Sequence, residues 1–347
     1  MANFGIKDKI NGFIRVCGGQ ERKMYTSRMI ETACCLPEKI ISNDDLAGIV
    51  DTSDEWIRSR TGITTRHISM GENASDLAAG TARQLVEKAG INPLDIDILV
   101  VATCSGDYRV PSVACMVQKE IGAKNAMSFD ISAACSGFIY ALSVADKFIK
   151  SGACKNALVI GVEVLSKIID WKDRSTCVLF GDGAAGAYLV RSDKAGILWE
   201  EMRSNGEDFE ALTVGYMPAA NAFNAVQPLE KFDYVQMDGR AIFKFATKKV
   251  TSSILQLLQD TDIKPEEISY IVPHQANVRI VEIVAKKTGI PLDKFYLNME
   301  KTGNTSAASI PIALHEMNEK KMLKRGDKII LTGFGGGLTW GTMLVEW

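Results

Sequence analysis

This chain of 347 residues is written twice, and that constrains its fold more than any other feature. Ile98-Leu-Val-Val-Ala-Thr103 answers Tyr270-Ile-Val-Pro-His274, and Ala157-Leu-Val-Ile-Gly161 answers Ile329-Ile-Leu-Thr-Gly333. Residues 126–137 answer 296–309 in the same way. Each offset is about 171 residues, close to half the chain. α/β patterning produces one such pair by chance; three in register argue for duplicated αβ halves and against a solenoid. Helical periodicity falls on 75–89, 113–121, 137–151, 243–260, 278–288 and 310–323. Short β-rich runs fall on 96–102, 126–131, 157–162, 177–180, 187–190, 268–272, 294–298, 328–332 and 342–346. Strands alternating with helices predict an α/β fold with buried sheets. We divide the chain into an extension at 1–24, a first half at 25–195 and a second at 196–347.

Duplication brings equivalent strand ends to face one another across a shared crevice, so residues distant in sequence converge there. Cys135 lies in Phe129-Asp-Ile-Ser-Ala-Ala-Cys-Ser-Gly-Phe138, where an apolar run meets a turn of small residues and then a helical pattern. A thiol at such a helix start is stabilised as the thiolate. The competing reading is a small, inert core residue. The matching positions of the second half hold His274, in Val272-Pro-His-Gln-Ala-Asn277, and Asn304, in Gly303-Asn-Thr-Ser306. Either residue alone is as readily structural, Asn304 as a helix cap. Thr332-Gly-Phe-Gly-Gly-Gly-Leu-Thr-Trp-Gly341 is a loop able to bring backbone N–H groups to a developing oxyanion. It lacks the Lys-Ser/Thr of a phosphate loop. Gly181-Asp-Gly-Ala-Ala-Gly186 matches a dinucleotide fingerprint, but Ala187-Tyr-Leu-Val190 continues as a strand, so a glycine-rich hairpin is expected.

Composition removes several classes. A formal net charge of −2 leaves no global basic field for nucleic acid. No apolar run reaches the roughly 18 residues of a membrane span. The eight cysteines form no CxxC pair and follow no secretory signal, which favours free thiols in a reducing cytoplasm over disulfides. The three histidines, His67, His274 and His315, have no partner at a familiar metal-site spacing, so no metal is expected. Residues 1–24 carry Lys7, Lys9, Arg15, Arg22 and Lys23 without an apolar core, and we read them as a poorly ordered tail.

From about residue 25 to 347 the chain resembles β-ketoacyl-acyl-carrier-protein synthase III, a condensing enzyme of the thiolase superfamily that initiates fatty-acid synthesis. Six motifs carry the resemblance, in the family's order: Asp54-Glu-Trp-Ile-Arg-Ser-Arg-Thr-Gly-Ile63, the Cys135 segment, Phe180-Gly-Asp-Gly183, 272–277, 303–306 and 334–337. It implies a layered α-β-α-β-α core and a ping-pong acyltransferase with a Cys135, His274, Asn304 site. Cys135 would accept an acyl group from a coenzyme A thioester, with backbone N–H groups of Cys135 and Gly336 as oxyanion hole. Decarboxylative condensation with malonyl-acyl-carrier protein would follow, His274 and Asn304 holding the thioester carbonyl. No tightly bound cofactor is implied. Trp56 and Arg174 match a pair that sandwiches the adenine, Arg60 a further coenzyme A contact and Asn277 a pantetheine contact. Lys244, Gln275, Arg279, Lys286 and Lys287 match the carrier-protein docking surface. The family forms cytoplasmic homodimers.

Some positions depart from the family pattern. Glu31 and Ala33 stand where small glycines are usual, and Leu338 where an aromatic is common. Val110 aligns with a frequently aromatic position that closes the acyl pocket, so a longer or branched primer is expected. Three other readings compete. A papain-like peptidase shares the Cys, His, Asn order but predicts a cysteine near the mature N-terminus. A chalcone-synthase-like or other specialised condensing enzyme predicts a non-acetyl primer. A non-catalytic partner subunit predicts loss of the cysteine or histidine.

Overall fold

The computed structural model describes residues 13–15, 21–23, 25–194, 196–219, 221–223 and 234–347. The expected tail at 1–24 lies outside the described residues except for Phe13–Arg15 and Glu21–Lys23, which pair antiparallel. Nine strands build the two main sheets: β1 (Thr26–Cys35), β2 (Ile98–Ala102), β3 (Met127–Ile131), β4 (Asn156–Glu163), β5 (Gly183–Ser192), β6 (Ile197–Ser204), β7 (Ile268–Pro273), β8 (Lys328–Gly335) and β9 (Thr339–Glu346). Among the described residues, the helices of eight residues or more that accompany them are α1 (Asp54–Thr61), α2 (Ala74–Ala89), α3 (Val113–Ile121), α4 (Gly137–Lys150), α5 (Gly239–Thr261), α6 (Val278–Thr288) and α7 (Ser309–Glu319).

The first sheet runs β1-β5-β4-β2-β3 and the second β6-β9-β8-β7. In both, the two outer pairings named first are antiparallel and the next is parallel. A lone parallel bridge between Ile271 and Phe295 stands where β3 stands in the first sheet. The repeat read in the sequence is thus a repeat of topology.

Strand residues alternate between two cores because both faces of each sheet are covered. Val100 and Val159 of the first sheet face a central core with Ile329 and Leu331 of the second, and α4 and α7 supply Ile139, Leu142, Ile310 and Leu314 between them. The intervening Leu99, Val101 and Ile160 face outward onto Leu77 and Leu85 of α2 and Val117 of α3. Ile271, Ile330 and Leu344 likewise face Ile254 of α5 and Val284 of α6. The layers are therefore α2/α3, sheet, α4/α7, sheet, α5/α6, as expected for the thiolase-like arrangement.

Some local expectations are corrected. Residues 177–180 form no strand: a helical turn, Arg174–Cys177, precedes a single bridge from Phe180 to Asn304. Residues 294–298 contribute only the Phe295 bridge. The glycines at 183 and 186 lie inside β5, paired with Glu163 and Ile160 of β4, Gly186 also with Ala33 of β1, and so form neither a nucleotide loop nor a tight hairpin. The flanking strands β1 and β6 were not anticipated from periodicity.

The halves interlock through their turns. A Cβ added to Gly161 of β4 would lie 2.3 Å from the carbonyl oxygen of Ala307, in the second half's turn. A Cβ on Gly335 of β8 would lie 2.6 Å from the backbone nitrogen of Cys135, in the first half's turn. Each sheet thus seats the other half's turn, and no side chain fits between them.

Candidate active site

Cys135 sits where β3 passes into α4. Ala134–Ser136 makes one 3-10 turn, entered through a left-handed Ala134 at φ 45°. The second half repeats the device with Ser306 at φ 47°, Ser306–Ala308 as 3-10 turn, and α7. The sulfur is buried, and this overrides the helix-start argument. Burial pushes the thiol up to about 12; the carboxylate of Glu163 adds to this and a hydrogen bond with Ser306 opposes it. The resting residue is a thiol, which corrects the expectation of a thiolate.

His274 follows β7 and is 3% exposed. Its Nδ1 lies 2.7 Å from Ser309 Oγ on α7, and Phe334 packs edge-on at 5.3 Å between ring centres. Desolvation lowers its pKa to about 3, so the ring is neutral near pH 7. The one Ser309 hydroxyl proton has two acceptors in reach, His274 Nδ1 and the Ser306 carbonyl at 2.9 Å. Donated to Nδ1, it leaves Nε2–H as the ring's free donor. Asn304 is oriented by its own turn: the Ser306 N–H donates to its Oδ1 at 2.9 Å, which leaves the amide NH₂ for the cleft. Asn304 is further fixed by donating its N–H to the Leu179 carbonyl and accepting from the Gly181 N–H. This explains the Phe180–Gly183 motif as the seam between the halves.

Cys135, His274 and Asn304 meet in one cleft of about 280 Å³, whose lining extends outward through Asn277, Arg279, Arg60 and Trp56. A smaller, largely apolar cavity of about 80 Å³ shares Cys135 and is lined by Cys104, Leu165, Ile168, Phe180, Val235 and Gly336. The cysteine therefore borders both an open cleft and an apolar recess. That geometry suits a thiol that receives a group through the cleft and holds its hydrocarbon part in the recess.

The other expected residues divide. The Trp56 ring carries the Arg60 guanidinium at 4.5 Å and that of Arg174 at 4.9 Å. A planar ring needs about 3.5 Å on each face, so the Trp56–Arg174 pair is closed here and must part to admit one. Arg174 is held in place by donating to the Asp51 carbonyl at 2.7 Å. Asn277 caps α6 by accepting from the Arg279 N–H, and donates to the Arg60 carbonyl at 2.9 Å. Lys244, Arg279, Lys286 and Lys287 are exposed on α5 and α6. Gln275 is not part of that surface. It is fully buried, donating to the Pro273 and Tyr296 carbonyls and accepting from the N–H groups of Asn298 and Met299. A side chain so saturated braces the histidine loop and has nothing left for a partner. Val110 is 85% exposed and lines neither space of its own chain.

Sequence reading passed over Ser309, Ser306, Cys104 and Glu163. Serines in a small-residue turn and an acid at a strand end give no local signal of a shared site. Arg240 and Lys248, also exposed, extend the Lys244 face of α5 at four-residue spacing.

Two αβ halves whose turns bring a cysteine, a histidine and an asparagine into one cleft define a thiolase-like, acyl-transferring condensing enzyme. Models of the 3-oxoacyl-[acyl-carrier-protein] synthase III family match residues 129–206, and of its C-terminal part residues 258–347. The chain is 51% identical to the Clostridium acetobutylicum β-ketoacyl-[acyl-carrier-protein] synthase III, over 93% of this chain and 99% of that protein. It is 52% identical to the Clostridium novyi protein of the same name, over 93% and 100%. The crystal structure of the Aquifex aeolicus synthase III superposes with a TM-score of 0.86 at 46% identity, covering 92% of this chain and all of that one. The chain belongs to the β-ketoacyl-acyl-carrier-protein synthase III family.

Proposed function

We propose that the protein catalyses the first condensation of fatty-acid synthesis, by acyl transfer from a coenzyme A thioester to Cys135 and then decarboxylative condensation with malonyl-acyl-carrier protein. The observation that carries this is the meeting of Cys135, His274 and Asn304 in one cleft, with an apolar recess at the sulfur. Identity of about half over the full length of named synthases favours this reading over a specialised condensing enzyme.

In the first half-reaction Cys135 Sγ attacks the thioester carbonyl, and the backbone N–H groups of Cys135 and Gly336 receive the oxyanion. Coenzyme A leaves, and the acyl chain occupies the recess. In the second, the malonyl thioester oxygen accepts from His274 Nε2–H and the Asn304 amide, which stabilises the enolate formed as carbon dioxide departs. That role requires Ser309 to donate to Nδ1. The carbanion attacks the acyl-cysteine and releases the 3-oxoacyl product. Trp56, Arg60, Arg174 and Asn277 bind the coenzyme, with Arg174 swinging off Trp56. Lys244, Arg279, Lys286 and Lys287 receive the acidic carrier protein beside the cleft. The working enzyme is a homodimer in which Val110 closes the acyl recess of the other copy.

Mass spectrometry of Cys135 after exposure to acyl-CoA esters tests the scheme. Cys135→Ser abolishes acylation. His274→Ala and Asn304→Ala acquire the acyl adduct yet fail to condense. Loss of the adduct in those two variants would refute the division of roles.

A further inference from the structure

Glu163, at the end of β4, is a buried carboxylate with no ion-pair partner among the described residues. Burying such a group costs several kcal/mol, so its surroundings demand an explanation. Five donors converge on it. Its oxygens accept from Ser105 Oγ at 2.5 Å, the Cys104 N–H at 3.2 Å, Cys104 Sγ at 3.3 Å, Thr103 Oγ1 at 3.3 Å and Ser306 Oγ at 3.2 Å. Ser306 belongs to the opposite half, and its side of the turn lines the same recess as Cys135. Ser306, Cys104 and Cys135 border the same recess. The ionisable groups nearest Glu163 are thus Cys104 and Cys135, and the Ser306 hydroxyl, bonded to the carboxylate, stands in the recess wall beside the nucleophile.

We propose that Glu163 takes, through Ser306, the proton that Cys135 loses on acylation, and returns it when the thiol is regenerated. This rests on the acyl-cysteine reading given above. As Sγ bonds to the acyl carbon, its proton passes to Ser306 Oγ and the Ser306 hydroxyl proton passes to Glu163. Coenzyme A leaves with the electron pair of the broken C–S bond and takes a proton from solvent. In the second half-reaction the carbanion expels the Cys135 thiolate, and the proton held on Glu163 returns by the same path. The sum consumes one solvent proton, as release of carbon dioxide from a malonyl carboxylate requires. Burial raises the carboxyl pKa against the pull of its donors, in the direction that lets it hold a proton. His274 is poorly placed for this work, because the reading above employs its Nε2–H as a donor.

Two variants test the path. Glu163→Gln removes the acceptor and Ser306→Ala the bridge; alanine suits the left-handed turn, since Ala134 adopts it in the first half. Single-turnover acylation by acetyl-CoA at pH 7 is followed by mass spectrometry, alongside the pH dependence of Cys135 alkylation by iodoacetamide. Both variants are expected to acylate about 100-fold more slowly, and the double variant no more slowly than the worse single one. Alkylation should separate them. Glu163→Gln shifts the thiol titration to lower pH by deleting a neighbouring negative charge, and Ser306→Ala shifts it upward by deleting a donor to the thiolate. A purely structural role does not move the two titrations apart while slowing both acylations. Acylation within twofold of wild type in either folded variant would overturn the proposal, and Ser306→Ala decides alone if Glu163→Gln fails to fold. Absence of any adduct on wild-type Cys135 would instead overturn the acyl-cysteine reading.

Discussion

His274 is neutral because the fold denies it water, and that has a measurable cost. In the unfolded chain it titrates near 6.5; in the fold burial holds it near 3. The unfolded state therefore binds the extra proton first, and stability falls as pH drops below 6.5, levelling only near 3. At pH 5 the loss from this one residue is roughly 2 kcal/mol. Urea denaturation at pH 7 and pH 5 should show a smaller loss for His274→Gln than for wild type; equal losses would place the acid sensitivity elsewhere. Gln275, its neighbour, shows the limit of reading residues one at a time. A polar side chain beside a catalytic histidine reads as surface. Only the convergence of two carbonyls from 273 and 296 with two N–H groups from 298 and 299 shows it to be a buried brace. Cys135, His274 and Asn304 were legible because each lies on a turn that leads into a helix at matching places of the two halves.

Among the elements, α3 and α6 were read to the residue because both ends are written locally. Ser112 and Asn277 cap their starts, and Gly122 and Gly289 close them in left-handed conformation at φ 73° and 72°. β1 and β6 were not legible, since each flanks its sheet and mixes polar with apolar residues on partly covered faces. What positions the site is the contact of β4 with the second half's turn, and no periodicity encodes a close approach between elements so far apart. Gly161→Ala tests it: a methyl 2.3 Å from the Ala307 oxygen must push the turn away. We expect a loss of about 3 kcal/mol or more and at least tenfold slower condensation. Gly206→Ala, where an added Cβ meets nothing within 4 Å, should stay within about 0.5 kcal/mol of wild type. Thermal denaturation of the two variants makes the comparison.

For the whole molecule, a net charge of −2 hides a local basic surface. Lys286→Glu with Lys287→Glu should raise KM for malonyl-acyl-carrier protein about tenfold at low salt. The variant's KM should also respond less to added salt than that of wild type, since exposed charges are screened within about 10 Å at 0.1 M. A KM unchanged in the variant would move the docking surface elsewhere. Val110 belongs to this scale too, being exposed on its own chain and proposed to close another copy's recess. Val110→Phe should lower acylation by five-carbon acyl-CoA at least fivefold relative to acetyl-CoA, as read by competition for Cys135. Retention of the wild-type ratio would remove Val110 from chain-length selection.

The central helix α4 follows directly on the nucleophile's turn, yet Ile139 and Leu142 share a core with Ile329, Leu331 and Met343, encoded some 190 residues later. During synthesis that oily flank leaves the ribosome long before its cover exists. Pairings so distant along the chain form slowly and leave apolar surface exposed meanwhile. We expect the nascent first half to lean on chaperones until the second sheet arrives, so that the gene resists being split at its midpoint even though its product is built from two copies of one plan.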